Sequence, residues 1–142
     1  MKKLLPISAL ATAICYSACE QKLDASKVPA AAKASFEKNY PGTDATWEME
    51  DGNYEVNFKQ NGNPMSVVMD EKGIITETEM DIKVTDLPAS TQAFINEQYK
   101  GKSIEEATKI TNADSSINYE VEVAGRDVIF DANGKFLKEI KD

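Results

Sequence analysis

This chain carries one pattern twice, and that constrains its fold more than any other feature. Val28-Pro29-Ala30 through Tyr40-Pro41-Gly42 aligns without gaps on Leu87-Pro88-Ala89 through Tyr99-Lys100-Gly101, at an offset of 59. Asn53-Tyr54-Glu55-Val56 returns as Asn118-Tyr119-Glu120-Val121, and Asp70-Glu71-Lys72-Gly73 as Asp131-Ala132-Asn133-Gly134. Three matches in the same order mark a duplication. Whatever the first half folds into, the second half must be able to fold into as well.

Each copy opens with a helix signal. Pro29 and Pro88 suit a first helical turn, where the missing N–H costs nothing. Val28, Ala32, Phe36 and Tyr40 recur every fourth position, as do Leu87, Thr91, Ile95 and Tyr99, which stacks one stripe along one helix face. Pro41-Gly42 and Lys100-Gly101 stop the two helices. Alternating segments follow. Thr46 to Glu50, Asn53 to Lys59, Pro64 to Met69 and Ile74 to about Ile82 read as strands, separated by Asp51-Gly52, Asn61-Gly62-Asn63 and Asp70 to Gly73. In the second copy the strands fall near Ala107 to Thr111, Ile117 to Val123, Asp127 to Phe130 and Lys135 to Ile140. The expected fold is α+β, a tandem repeat of one helix plus a four-stranded antiparallel meander, with the helices on one face of the sheet. The first repeat spans 28–82 and the second 83–142. Sixty residues alone bury only about 60% of their unfolded surface, so the two copies are expected to share one domain.

The N-terminus reads as an address. Met1-Lys2-Lys3 is basic, and Leu4 to Ile14 is an apolar stretch of 11 residues, far short of the roughly 20 that span a bilayer. Residues 1–18 therefore read as a secretory signal peptide. Tyr16-Ser17-Ala18-Cys19 resembles a bacterial lipobox, with small residues before the cysteine to be lipidated. Acylation gives a terminal Cys19 a purpose that a lone thiol in an oxidising compartment lacks. Residues 19–27 are then a lipidated tether, in which Glu20 to Lys27 reach at most about 28 Å. Removing Lys2 and Lys3 with the signal takes the formal net charge from −8 to −10. The mature chain keeps at most one cysteine, so packing alone must stabilise it.

A Pro-led helix ending in Tyr40-Pro41-Gly42, the strand Asn53-Tyr54-Glu55-Val56 and the hairpin Asp70-x-x-Gly73 together resemble the PepSY-like, β-lactamase-inhibitor-protein-like domains of Bacteroidetes lipoproteins. The resemblance covers Val28 to Ile140. It implies a fold that uses a sheet face or loops to bind, and sometimes inhibit, another protein. The motifs that carry it are structural and assign no catalytic residue.

Composition narrows the chemistry. There is no histidine, which excludes Ser-His-Asp and Cys-His triads and histidine-containing zinc sites. No Gly-x-Ser-x-Gly elbow and no phosphate-binding glycine loop occur. So acidic a chain repels nucleic acid and anionic lipid headgroups, leaving the anchor as its membrane contact. Glu77, Glu79 and Asp81 alternate along one strand and Glu48 and Glu50 along another. They read as solvated strand faces that protect sheet edges, rather than as a calcium site or an acid/base pair. In the two Asp-x-x-Gly turns, Asp bonds the turn backbone and Gly takes the positive-φ position, with no calcium loop required.

Trp47 and the Tyr-Val-Phe alternation read as core facing the helices. Val68 and its counterpart Ile129 fall on the opposite sheet face, where they are the candidate partner-binding patch. The expectation is a non-catalytic envelope lipoprotein, periplasmic or at the outer membrane, that binds another envelope protein and needs no metal or cofactor. A small-ligand or peptide binder is the alternative, and a histidine-free hydrolase a more distant one.

Overall fold

The computed structural model describes residues 22–50 and 52–141. The expected signal peptide over 1–18, Cys19, Asp51 and Asp142 lie outside the described residues. Nine strands form one antiparallel sheet in strict chain order. They are β1 (Lys22–Leu23), β2 (Ala45–Glu50), β3 (Asn53–Gln60), β4 (Asn63–Met69), β5 (Ile75–Asp81), β6 (Ile104–Asn112), β7 (Ile117–Val123), β8 (Arg126–Asp131) and β9 (Phe136–Lys141). Two ten-residue helices, α1 (Ala30–Asn39) and α2 (Ala89–Gln98), interrupt the series.

This corrects the expected architecture of two successive helix-plus-four-strand units. The hydrogen-bonded ladder does not stop at the boundary between the copies. Strand β5 pairs with β6 from Glu77 opposite Asn112 to Asp81 opposite Thr108. An unpaired edge at either strand would expose a row of backbone N–H and C=O groups, and pairing removes both edges at once. A further strand precedes the first helix: Lys22 and Leu23 pair with Glu48 and Trp47. The tether expected over 19–27 is corrected for the same reason, because its described part is built into the fold. After β1 comes a short 3-10 turn, Ala25–Lys27, whose first N–H groups are capped by the Asp24 carboxylate bonding Ser26 N at 2.8 Å.

The core lies on one face of the sheet, in two clusters. Val28, Ala32 and Phe36 bury themselves with Trp47, Val56, Phe58, Val67 and Met69. Leu87 and Ile95 do the same with Ala107, Val121, Val123, Val128 and Phe130. Phe36 meets Trp47 and Phe58 edge-on at 5.7 and 5.2 Å, and Phe94 stacks on Phe136 at 5.0 Å. Such contacts add to the burial of the rings themselves. At the end of α2 the Tyr99 hydroxyl donates to Glu139, which also pairs with Arg126.

The Asp-x-x-Gly turns have the geometry read from the sequence. Asp70 Oδ1 accepts from Lys72 N and Ile74 N, and Asp131 Oδ1 from Asn133 N and Lys135 N, all at 2.9 Å. Gly73 and Gly134 sit at φ of 78° and 77°. Both turns tuck against a helix: a Cβ on Gly73 would meet the Ala31 carbonyl oxygen at 2.5 Å, and one on Gly134 the Ser90 Oγ at 2.2 Å. Immediately beyond each turn the strand carries a bulge. Val68 and Met69 face Glu77 and Ile75, leaving Thr76 extra; Ile129 and Phe130 face Lys138 and Phe136, leaving Leu137 extra. The second bulge puts Phe136 on the helix side, where it stacks on Phe94 while staying 39% exposed, and turns Lys138 to the other face.

Candidate functional site

The face opposite the two core clusters is the open face. Strand alternation assigns its residues, and register aligns them into rows. Glu55 lies opposite Val68, and Val68 opposite Glu77. The next row is Asn57, Ser66 and Glu79. Another runs from Asp81 through Thr108, Glu120 and Ile129 to Lys138, and Glu106, Glu122 and Asp127 form the last.

A flat sheet would hold β3 and β8 roughly 24 Å apart, five strand spacings of about 4.8 Å. Yet Asn57 of β3 and Asp127 of β8 both line one hollow of about 260 Å³. Only a sheet bent over that hollow brings them together, so the open face is concave. Curvature also buries its floor. Glu55 and Asp127 are each only 6% exposed, and Ser66 and Thr108 are buried beside them.

Burial and mutual repulsion then set the protonation of the carboxyls. Glu79 is pushed up to about 9, first by burial and then by the charge of Glu77, with the Ser66 hydroxyl acting in the opposite sense. Ser66 Oγ donates to Glu79 Oε2 at 2.9 Å. Glu120 is pushed up to about 8, first by burial and then by Asp127 and Glu77. Burial raises Asp81 and Glu106 as well, Glu106 also feeling the charges of Asp81 and Glu122. Glu77 is raised by burial, while its hydrogen bond with Glu79 and the Lys138 ammonium pull it down. At neutral pH Glu79 and Glu120 are therefore held mainly as neutral acids that can donate a hydrogen bond, within a face that stays negative.

The sequence-assigned residues fall here unevenly. Val68 and Ile129 both occupy the open face, as alternation requires. Val68 is half-buried and Ile129 is only 3% exposed, so they form no exposed apolar patch. Ile129 sits between Glu120 and Lys138 on the concave side, where curvature closes the surface over it. Glu77, Glu79 and Asp81 are on this face too, but half-buried rather than the solvated strand edge their spacing suggested. Ser66, Glu106, Thr108, Glu120, Glu122 and Asp127 were not singled out by sequence. The alternation of Asn118, Glu120 and Glu122 against Tyr119, Val121 and Val123 marked the face of two of these positions, Glu120 and Glu122; nothing marked the hollow. Among the described residues no group of three or more acidic or thiol side chains is arranged to hold a metal ion, and no helix is long and apolar enough to cross a membrane.

The family model described as beta-lactamase-inhibitor-like, PepSY-like matches the chain twice, over residues 16–77 and 52–138. The chain belongs to the beta-lactamase-inhibitor-like, PepSY-like family. Three crystal structures show the same fold. A candidate periplasmic protein of Bacteroides eggerthii superposes with a TM-score of 0.73 at 15% identity, over 80% of this chain and 88% of that one. A DUF2874 family protein of Bacteroides ovatus gives 0.70 at 21% identity, over 79% and 86%. A BLIP-like protein of Bacteroides fragilis gives 0.60 at 23% identity, over 79% and 85%. No curated protein matches this chain. At these identities the three structures share their architecture with this PepSY-like protein, and its acidic hollow is described by its own residues.

Proposed function

We propose that this PepSY-like protein is a non-catalytic, lipid-anchored protein of the bacterial envelope that binds another envelope protein through the open face of its sheet. The observation that carries this reading is the concave hollow itself. Residues of six strands line it, and both helices lie against the opposite face. A shallower groove of about 670 Å³ shares Asn57, Pro64 and Met65 with the hollow and leads past Lys59 to the 42–44 loop, which lengthens the contact surface. Envelope location is supported by the basic and apolar residues 1–18, by Ser17-Ala18 before Cys19, and by a family whose similar structures include a candidate periplasmic protein. Residues 1–18 are read as the signal peptide and Cys19 as the lipidated residue. The two aligned halves are read as products of duplication.

The test is crosslinking in living cells with a tag near Asp142, comparing wild type with a Glu106→Lys, Glu122→Lys double variant. Both residues line the hollow and neither is among the buried residues, so the fold tolerates the change. A protein crosslinked by wild type and lost with the variant supports docking on this face. A protein crosslinked equally by both moves the contact elsewhere, and no crosslinked protein overturns the reading.

A further inference from the structure

We propose that the end of the sheet holding the β2–β3, β4–β5, β6–β7 and β8–β9 turns rests in the headgroup layer of the membrane that carries the anchor. The inference rests on the reading that Cys19 is lipidated, and it adds which part of the fold meets the lipid. The first observation is where the described chain begins. Strand β1 runs antiparallel to β2, so its N-terminal end points toward the β2–β3 hairpin. Lys22 lies opposite Glu48, two residues from the end of β2 at Glu50, or roughly 7 Å along the strand. Cys19 precedes Lys22 by three residues, which reach at most about 11 Å. An acyl chain on Cys19 therefore enters the bilayer close beside this end of the sheet.

The second observation is independent of the cysteine. Among the described residues five large hydrophobic side chains are exposed, and four of them lie at this end. Met49 precedes the β2–β3 hairpin, Ile74 closes the β4–β5 turn, and Phe136 and Leu137 open β9. Ile74 is 58% exposed and Leu137 48%, while the fifth, Val84, follows the opposite end of β5. Nor does the fold require apolar residues there. At the offset that carries Asp70 to Asp131, Ile74 matches Lys135 and Leu137 matches Thr76. Single exposed apolar residues are ordinary, but four gathered where the anchor leaves the fold mark an interaction surface.

Apolar burial, not charge, drives the contact. Asp70, Glu71 and Asp131 accompany Lys72 and Lys135 in the two Asp-x-x-Gly turns, so an anionic surface gains nothing from them and a zwitterionic one suffices. The layer between hydrocarbon and water is about 5–7 Å deep on each side of a bilayer, enough for these side chains and too shallow for whole strands. The open face then looks along the membrane, accessible to a protein beside it.

The test uses the mature protein, purified from membranes and placed in phosphatidylcholine vesicles, with mass measurement reading the lipid on Cys19. Single variants Lys72→Cys, Lys135→Cys and Gln60→Cys, all at exposed positions, each take one environment-sensitive dye. Gln60 ends β3 and so marks the opposite end of the sheet. A nitroxide on the lipid headgroup should quench the dyes at positions 72 and 135 several-fold more than the dye at position 60. Adding Ile74→Ser and Leu137→Ser, both exposed and both polar in the other half, should bring the quenching down toward the level at position 60. Equal quenching at all three positions, or quenching unchanged by the double variant, overturns the inference and leaves the anchor intact. Dyes shielded from water but not quenched place a second copy over this end and also overturn it. A mature chain without lipid overturns the anchor reading and the inference with it.

Discussion

Glu77 and Lys138 occupy matching positions in the two halves, each one residue beyond a strand bulge, and the Lys138 ammonium acts on the Glu77 carboxylate across the three intervening strands. On a flat sheet, three strands would separate the pair far beyond effective interaction. Their approach records the curvature that makes the hollow. It also shows what the two halves do differently: at one matched position the first carries an acid and the second a base, so the halves interact through an unlike pair.

Stability should fall as pH rises through neutrality. Glu79 moves from 4.5 in the unfolded chain to about 9 when folded, and Glu120 from 4.5 to about 8. The folded state therefore holds more protons between these limits, and the stabilisation present below about pH 4.5 is lost as pH climbs toward 9. Each tenfold difference in proton affinity is worth about 1.4 kcal/mol, so two groups shifted by several pH units make the loss large on the scale of a domain's total stability. Thermal melts should show a higher Tm near pH 5 than near pH 9, and Glu79→Gln with Glu120→Gln should flatten the difference. A Tm that rises over this window would mean that these groups are solvated.

Gly134→Ala should destabilise far more than Gly42→Ala. Both glycines have positive φ, so each substitution costs about 1–2 kcal/mol of backbone strain. Around Gly42 nothing lies within 4 Å, whereas at Gly134 the new methyl meets Ser90 Oγ at 2.2 Å and Thr91 Oγ1 at 2.7 Å. Overpacking adds a further 1–3 kcal/mol or so. Chemical denaturation of the two variants, with Gly73→Ala as a third, measures the difference.

Thr91→Ala should be neutral or mildly stabilising although Thr91 is fully buried. Its hydroxyl has no hydrogen-bond partner, and its counterpart in the first half is Ala32. Removing the unsatisfied oxygen recovers about 1–3 kcal/mol, against about 0.8 kcal/mol for the lost methyl and a small cavity. Ile95→Ala, one turn along the same stripe, should cost about 2–5 kcal/mol. If calorimetry shows the two variants equally destabilised, a partner for the Thr91 hydroxyl has been missed.

Replacing Cys19 by Ser should release the protein from membranes into the soluble envelope fraction. Once residues 1–18, with Cys15, are cleaved as the signal reading expects, a chain lacking Cys19 has no thiol to acylate, and among the described residues no helix is long and apolar enough to cross a bilayer. Fractionation of cells expressing each form, with mass measurement of the mature N-terminus, decides it. A serine variant that stays with the membrane refutes the anchor.

Local chemistry made much of this chain legible. A period of two in Asn53–Gln60 and a period of four in Val28, Ala32 and Phe36 assigned strand, helix and core face, because those repeats follow from backbone geometry within a few residues. Asp70 and Asp131 revealed their turns because an Asp carboxylate bonds the backbone two and four residues on. The Pro-led helices, Asn-Tyr-Glu-Val strands and Asp-x-x-Gly turns sufficed to recognise the family. Tertiary structure decided what depends on residues far apart in the chain. Pairing of β5 with β6 turned two expected units into one nine-stranded sheet, and a two-residue strand cut from the expected tether closed its first edge. Alternation put Glu79, Glu120 and Ile129 on the open face but could not tell that this face is concave. Curvature is a property of the whole sheet, and it is curvature that takes water from those side chains.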